Sequence, residues 1–368
     1  MRATSLELIN FRCFAALRLD LPAGLVAVTG PNASGKSTIL EALFVASAGR
    51  SPRAARDTEL ISWGAQYARV EASFARDDGR PFQVVFHLDN APSGPRKHLL
   101  ADGKPVRRAT ELVARVPLVL FVPADLQLAQ ASPAVRRRFL NLALARMGGA
   151  YADDLARYSR ALLQRNRLLA RAAPEDQLRP WEVAMVEAGA RVVSHRRAFA
   201  ARLAEVAAHI HSSLAGAEEQ LTVEYASQVA GDNASETAEN YHIQLFRLAG
   251  EERRLGRTLV GPHRDDLRLL INGRPLRRFG SQGQQRTAAL ALKLAEAEIL
   301  RQSAGEAPIL LLDDCLSELD EARARQVLAL TASYRQLIVT SAAPDAALEQ
   351  AQVAAWVSLK DGRVEADG

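Results

Sequence analysis

The feature that most constrains the fold of this chain is a glycine-containing loop near its amino terminus. Residues 30–37 read Gly-Pro-Asn-Ala-Ser-Gly-Lys-Ser, which fits the pattern G-x-x-x-x-G-K-[ST]. The apolar run before the loop predicts a strand over Gly24–Thr29, and residues 38–48 predict a helix after it. A loop between a strand and a helix can turn backbone N–H groups and a helix amino terminus toward a phosphate. The segment therefore predicts an α/β core that binds a nucleotide.

We expect the whole loop and the start of the helix to contact this nucleotide. The residues concerned are Gly30, Pro31, Asn32, Ala33, Ser34, Gly35, Lys36, Ser37 and Thr38. In this pattern the Lys36 ammonium reaches the β- and γ-phosphates, and the Ser37 hydroxyl binds Mg²⁺.

Two adjacent carboxylates follow a second apolar run. The four apolar residues 309–312 are typical of a strand buried on both faces, and Asp313 and Asp314 come directly after them. Ligand-binding groups of open α/β sheets lie at the carboxyl ends of the strands. We therefore expect Asp313 to bind the metal together with Ser37. Asp314 and Lys36 are the predicted catalytic residues. Asp314 would act as a general base or as a water-positioning group.

A second anion site is predicted further along the chain. Residues 281–286 read Ser-Gln-Gly-Gln-Gln-Arg and precede an amphipathic helix, so Ser281, Gly283 and Gln284 lie at a helix start. Residues 317–320, Ser-Glu-Leu-Asp, form a loop before another helix. Each segment alone is a weak signal, but their order around the strand that ends at Asp313 makes them informative together.

The middle of the chain changes character. Residues 132–214 show apolar side chains at helical spacing, and Pro174 and Pro180 separate two long helical stretches. We interpret these stretches as an antiparallel helical hairpin inserted into the α/β body. The predicted domains are a discontinuous α/β lobe, residues 1–122 and 257–368, and a basic helical insertion, residues 123–256.

Charge is distributed unevenly along the chain. The formal net charge is +5, but residues 132–214 contain fourteen arginines, no lysine and seven acidic residues, so their net charge is +7 and that of the remainder is −2. Arg136, Arg137 and Arg138 form the densest cluster, which we expect to contact DNA phosphates. Aromatic residues make up 5% of the chain, which favours duplex DNA over stacking on single strands. The alternative is an arginine-rich face that is simply solvated.

Composition excludes several classes of protein. Hydrophobic residues make up 48% and charged residues 24% of the 368 residues, as in ordinary globular proteins. The two cysteines, Cys13 and Cys315, exclude a disulfide scaffold. No run of about 18 apolar residues occurs, so we predict no membrane span and a cytoplasmic location.

Taken in order, these motifs resemble those of the ABC-type ATPases. A second resemblance, to the RecF family, extends over essentially the whole chain. The segments that carry the second resemblance are Asn10-Phe11-Arg12, the phosphate loop, Ser132-Pro133 with residues 136–140, Gly261-Pro262-His263-Arg264-Asp265-Asp266, Asn272-Gly273, residues 279–287, and Asp313-Asp314 through Asp320.

The resemblance implies an ABC-type ATPase head with an inserted, mainly helical second domain. It implies ATP hydrolysis with Mg²⁺ and an ATP-dependent homodimer in which Ser281 and Gly283 contact the γ-phosphate held by the other copy. Because the Asp314 carboxylate is one methylene shorter than that of a glutamate, we expect the hydrolysis to be weak and to act as a switch. It also implies binding to duplex DNA and to single-strand/duplex junctions, RecR and RecO as partners, help in loading a recombinase, and roles in recombinational repair, fork maintenance and the SOS response.

The chain departs from the general ABC pattern at two positions. Asp314 stands where a catalytic Glu is expected, and Ser341 stands where many ABC ATPases have a switch His. The residue of the glutamine loop, expected within residues 123–126, is not identified. Arg12, His263 and Arg264 are either near the nucleotide or in buried ion pairs.

Three other functions remain as alternatives. An SMC-type structural ATPase would need much longer helical arms. The nucleotide-binding domain of a transporter would not need the basic insertion. A small-molecule kinase would not need Ser281 or Asp320.

Overall fold

The protein is described here by a computed structural model that covers residues 1–91, 94–216, 218–343, 346–360 and 362–364. The chain divides into two compact units. The first unit comprises Met1–Leu126 and Glu296–Gly368, and the second comprises Gln127–Ala295.

The strands, numbered along the chain, are β1 Arg2–Phe11, β2 Phe14–Asp20, β3 Gly24–Thr29, β4 Tyr67–Ala75, β5 Pro81–Ala91, β6 Gly94–Ala101, β7 Lys104–Pro105, β8 Leu118–Phe121, β9 Leu221–Ala226, β10 Asp266–Ile271, β11 Arg274–Pro275, β12 Ile309–Asp313, β13 Gln336–Ser341, β14 Val353–Lys360 and β15 Arg363–Val364.

The helices are α1 Lys36–Ala48, α2 Ala109–Arg115, α3 Pro133–Met147, α4 Gly149–Leu169, α5 Glu175–Ala215, α6 Ala234–Leu255, α7 Leu276–Phe279, α8 Gln282–Ala304, α9 Glu321–Thr331 and α10 Ala346–Glu349, with short 3₁₀ turns at Asp57–Leu60 and Pro123–Gln127.

The first unit contains two sheets. One is antiparallel, with strand order β2-β1-β4-β5-β6-β7. The other has the order β15-β14-β3-β13-β12-β8, and its strands from β14 to β8 pair in parallel. All five residues of β12 are buried, as expected of a strand covered on both faces. The parallel register places the carboxyl ends of β3, β12 and β13 at one edge, because Asp313 is opposite Thr340 and Ser341 is opposite Thr29.

The second unit is mainly helical. α4 and α5 form the predicted antiparallel hairpin, since Arg165 pairs with Glu182 while Asp154, nearer the start of α4, pairs with Arg191 further along α5. The predicted break at Pro180 was wrong, because Pro174 caps α5 and Pro180 lies inside it. A proline this close to a helix start removes a single hydrogen bond, and the 41-residue helix continues because its later turns are buried.

The second domain boundary also differs from the prediction. Residues 257–295 belong to the helical unit and not to the α/β lobe. The reason is the pairing of β10, which joins β9 and β11 in a separate antiparallel sheet and not the parallel sheet of the first unit. An isolated strand pattern does not reveal its pairing partner.

None of the helices in the described part of the chain combines the length and the apolar character that crossing a membrane requires.

The turn before β10 is packed too tightly for any side chain at Gly261. Its φ is 126°, and a Cβ atom there would lie 1.9 Å from the hydroxyl of Tyr241 and 2.8 Å from that of Tyr158. Both hydroxyls are engaged, because Tyr241 donates to the Val260 carbonyl (3.0 Å) and Tyr158 is hydrogen-bonded to His263 Nδ1 (2.6 Å). This glycine therefore fixes how the segment 261–266 joins the helices.

We predict that Gly261→Ala lowers the free energy of unfolding by at least about 2 kcal/mol, through backbone strain and overpacking. Gly250→Ala is the matched control: it lies inside α6 with nothing within 4 Å of the added Cβ, and should stabilise by about 0.5–1 kcal/mol. Thermal unfolding of the two variants measures the difference. Equal unfolding temperatures would show that the turn is not constrained in this way.

Candidate nucleotide site

The loop between β3 and α1 is shaped by its glycines. Gly35 has a φ of 104°, and a Cβ atom there would lie 2.5 Å from the ring of Phe14, so only glycine fits. The buried Lys36 ammonium donates hydrogen bonds to the carbonyls of Gly30 (2.6 Å) and Pro31 (2.9 Å). The Ser34 hydroxyl is buried and has no hydrogen-bond partner among the described residues. An unpartnered hydroxyl in the same loop as a lysine ammonium fits a loop that binds phosphate.

Asp313, at the end of β12, is the centre of the polar contacts at this edge of the sheet. Its Oδ1 accepts hydrogen bonds from the hydroxyls of Ser37 (2.6 Å) and Thr340 (2.9 Å). Its Oδ2 is paired with the guanidinium of Arg53. Sequence reasoning identified Ser37 and Asp313 but missed Thr340 and Arg53. Thr340 could have been predicted, because its hydroxyl comes at the carboxyl end of another apolar strand, β13.

The residues present fit a magnesium ion that is bound partly by the protein and partly by the phosphates of a nucleotide. Among the described residues, no group of three or more His, Cys, Asp or Glu side chains could hold a metal by itself. Mg²⁺ is usually bound through one or two carboxylates together with substrate phosphates and water. The Ser37 hydroxyl and the Asp313 carboxylate, 2.6 Å apart, supply such a partial set.

Asp314 occupies an unusual backbone conformation, with a φ of 49°. Its N–H donates to the Thr340 hydroxyl (2.9 Å), and its Oδ1 accepts from the Ser317 hydroxyl (3.1 Å). Ser341, at the position where many ABC ATPases have a switch His, donates a hydrogen bond from its hydroxyl to the Ala343 carbonyl (2.7 Å). The backbone of Asp314 is therefore held by β13, and its carboxylate is oriented by the loop after β12.

Lys36, Ser37, Arg53 and Asp314 line one cavity of about 480 Å³ within the first unit. Its lining residues are Arg12, Cys13, Asn32, Ala33, Gly35, Lys36, Ser37, Thr38, Arg53, Glu59, Ile61, Trp63 and Asp314. Arg12 contributes to the cavity and also pairs in two places with the buried Glu41 carboxylate, at 2.8 and 3.0 Å. The ion pair considered for Arg12 is thus present, and a contact with the nucleotide stays a prediction.

The second predicted anion site lies in the second unit, at the start of α8. The Ser281 hydroxyl accepts from the N–H of Gln284 (3.2 Å), and the Gln284 side chain accepts from the N–H of Ser281 (2.9 Å). This reciprocal pair is a capping box. Ser281 is exposed and Gly283 follows it in the first turn, so both can face another molecule.

The arginine cluster of α3 is not the exposed surface that we predicted. Arg136 is 5% exposed and binds Asp266 with two hydrogen bonds of 2.8 Å. Arg137 donates to the Asp265 carbonyl (2.8 Å), and only Arg138 of the three is exposed. Arg136 is therefore wrong as a DNA contact. Its charge is needed to compensate a carboxylate inside the unit.

His263 and Arg264 also differ in exposure, since only one of them is exposed. His263 is hydrogen-bonded to Tyr158, and burial lowers its pKa to about 4, so the ring is neutral at pH 7. Burial also raises the pKa of the Asp265 carboxyl above its ordinary value, against the opposing hydrogen bond from Tyr225 and the charge of Arg196. His263 belongs to this internal network, whereas Arg264 is exposed.

Residues 3–365 match the family described as RecF/RecN/SMC N terminal domain. The DNA replication and repair protein RecF of Halalkalibacterium halodurans is 36% identical over 348 residues, which cover 93% of this chain and 92% of the relative.

Two solved structures are similar in fold. One, described as the recombination mediator protein RecF-ATP in the RecFOR pathway, has a TM-score of 0.89 and 29% identity, with coverage of 99% of this chain and 97% of that one. The Smc head domain of Pyrococcus furiosus, with a TM-score of 0.57 and 17% identity over 99% and 95% of the two chains, shares the fold. The chain therefore belongs to the RecF family, within the RecF/RecN/SMC group of ABC-type ATPase folds.

Proposed function

We propose that this protein is an ATP-dependent DNA-binding protein of recombinational repair and replication, which hydrolyses ATP slowly and uses it as a switch. The observation that carries the proposal is the pairing of Ser37 with Asp313 beside the buried Lys36. These three side chains are a hydroxyl, a carboxylate and an ammonium, which is the set needed for a Mg²⁺–triphosphate. The relatives named for DNA replication and repair support the biological role.

Each residue of the site has a separate task in this proposal. Lys36 binds the β- and γ-phosphates, and Ser37 with Asp313 holds Mg²⁺, which neutralises phosphate charge when bound. Thr340 orients Asp313 and fixes the backbone of Asp314. Asp314 positions the attacking water or accepts its proton.

We predict that Asp314→Asn keeps ATP affinity but lowers the single-turnover rate of hydrolysis by about 10²- to 10⁴-fold, because the general base is lost. Asparagine also tolerates a φ of 49°, so the backbone need not change. Asp20→Asn, an exposed carboxylate at the end of β2, removes the same charge and should hydrolyse ATP as the wild type does. An unaltered rate in Asp314→Asn would exclude this role.

The exposure of Ser281 supports the ATP-dependent dimerisation that the family resemblance implies. A serine and the free N–H groups of a helix start can bind a phosphate that another copy presents. The nucleotide would then set the equilibrium between monomer and dimer by mass action.

We predict that Ser281→Arg abolishes ATP-dependent dimerisation in light scattering but leaves ATP binding to the monomer unchanged, because Arg blocks the contact between copies. Ser281→Ala removes the capping hydroxyl without adding the volume of Arg, so it shows the effect of losing the helix cap alone. We expect that loss to lower the free energy of unfolding by about 1 kcal/mol. Ser132→Arg adds the same charge at the exposed start of α3 and should dimerise normally. Normal dimerisation of Ser281→Arg would refute the contact.

For DNA we propose a different surface from the predicted cluster. Arg157, Arg160, Arg167 and Arg171 are all exposed and recur at intervals of three, seven and four residues, which is one face of α4 and the turn that follows it. Arg157 and Arg167 are about 15 Å apart along the helix, a length over which duplex DNA presents about nine phosphates. The acidic residues of α4, Asp153 and Asp154, precede this stripe, and Asp154 is paired with Arg191.

We predict that replacing the four stripe arginines with Ala flattens the dependence of log K on log salt for duplex DNA by about 3–4 units, since each phosphate contact contributes about 0.9. A matched control removes four other exposed arginines of the same unit, Arg247, Arg254, Arg257 and Arg268. Fluorescence anisotropy at several salt concentrations measures both slopes. An equal loss in the two variants would mean that only net charge matters.

The finer parts of the proposal come from the family. We place the protein in the cytoplasm at junctions between single-stranded and duplex DNA, with RecR and RecO as partners, where it helps to load a recombinase and contributes to the SOS response. The related structure described as belonging to the RecFOR pathway supports these partners. The 41-residue α5, about 60 Å long, is too short for the arms of an SMC-type structural ATPase.

A further inference from the structure

Trp63 lies at the edge of the nucleotide cavity with its side chain entirely in solvent. Its exposure is 103% of the reference area, the highest among the large hydrophobic residues that the structure describes as exposed. Single exposed apolar side chains are common, so exposure alone has no functional meaning. What distinguishes Trp63 is that it lines the same cavity as Lys36 and Ser37.

The backbone that carries Trp63 is firmly held. The Ser62 N–H donates to the Asn10 carbonyl (2.8 Å), and its hydroxyl donates to the carbonyls of Arg12 (2.8 Å) and Phe14 (3.3 Å). The Ala65 N–H closes a turn onto the Ser62 carbonyl at 3.0 Å. Gly64 has a φ of 81°, as the third position of a type II turn requires. The indole is therefore presented from a fixed turn and not from a loose loop.

The lining of the cavity is chemically mixed. Lys36, Ser37 and Asp314 supply charged and polar groups, whereas Ile61 and Trp63 supply apolar surface. A nucleoside triphosphate has the same division, because its phosphates are charged and its base is a flat, largely apolar ring system. Within one cavity of about 480 Å³, a nucleotide with its phosphates at Lys36 can place its base against the apolar surface of Ile61 and Trp63.

We propose that Trp63 is a nucleotide-binding residue whose indole stacks on the base of the bound nucleotide. This inference rests on the proposed function, since it needs a nucleotide at Lys36. Stacking of a base on an aromatic ring is tolerant of base identity, because every base has a π-face. Trp63 thus supplies affinity for the nucleoside half of the ligand without selecting adenine over guanine.

The test compares ligands with and without a base. We expect Trp63→Ala to weaken the binding of ATP, ADP and GTP by about 5- to 150-fold in isothermal titration calorimetry. Binding of inorganic tripolyphosphate should be unchanged, because it has no base. Trp63→Phe keeps an aromatic face and should retain most of the affinity. Tyr67→Ala, an exposed aromatic residue of β4 outside the cavity, should bind all four ligands as the wild type does.

Two results would overturn the proposal. One is unchanged ATP affinity in Trp63→Ala, and the other is an equal loss for ATP and tripolyphosphate, which would mean a distorted phosphate loop. Repeating the titrations with Ser281→Arg as a second substitution separates stacking from a contact between copies. A loss confined to the protein with Ser281 intact would assign Trp63 to that contact.

Fluorescence gives an independent readout. Trp181 and Trp356 are the other tryptophans of the chain. ATP should quench the emission of the wild type and of Trp356→Phe, but not that of Trp63→Phe. If wild-type protein binds neither ATP nor tripolyphosphate, the proposed function fails as well. If it binds both and quenching persists in Trp63→Phe, only the stacking proposal fails.

Discussion

The site depends on the parallel register of β12 and β13, which places Asp313 opposite Thr340. The register brings a threonine hydroxyl to one oxygen of the carboxylate, and the helix after the phosphate loop brings the Ser37 hydroxyl to the same oxygen. Because β12 is buried along its whole length, a slip of this register would bury Asp313 without partners. Core packing and site geometry are thus enforced by the same strand pairing.

This dependence explains which parts of the site could be predicted. The loop at residues 30–37 and the strand at 309–313 are local patterns, so Lys36, Ser37 and Asp313 are visible in the sequence. Thr340 and Arg53 contact Asp313 only through the tertiary arrangement of β13 and of the segment after α1. For the same reason the apolar patterns of β9 and β10 indicate two strands but do not reveal that they pair with each other.

The helical unit shows why a count of charges does not define a surface. Arg136, Arg165 and Arg196 are buried, and they bind Asp266, Glu252 and the Pro262 carbonyl respectively. An unpaired charge in such a place is very costly, so these arginines compensate buried polar groups and are unavailable to DNA. Spacing is more informative than density here. Consecutive arginines point in different directions around a helix, whereas residues three or four apart share a face.

The aspartate that replaces the glutamate of other ABC-type ATPases has a backbone explanation. The chain leaves β12 through a residue with a φ of 49°, a conformation that aspartate and asparagine adopt at little cost and glutamate does not. That conformation is held by the hydrogen bond from the Asp314 N–H to Thr340, the residue that also orients Asp313. A glutamate would strain the turn that holds Asp313 in place. The shorter side chain is thus a consequence of how this turn supports Asp313.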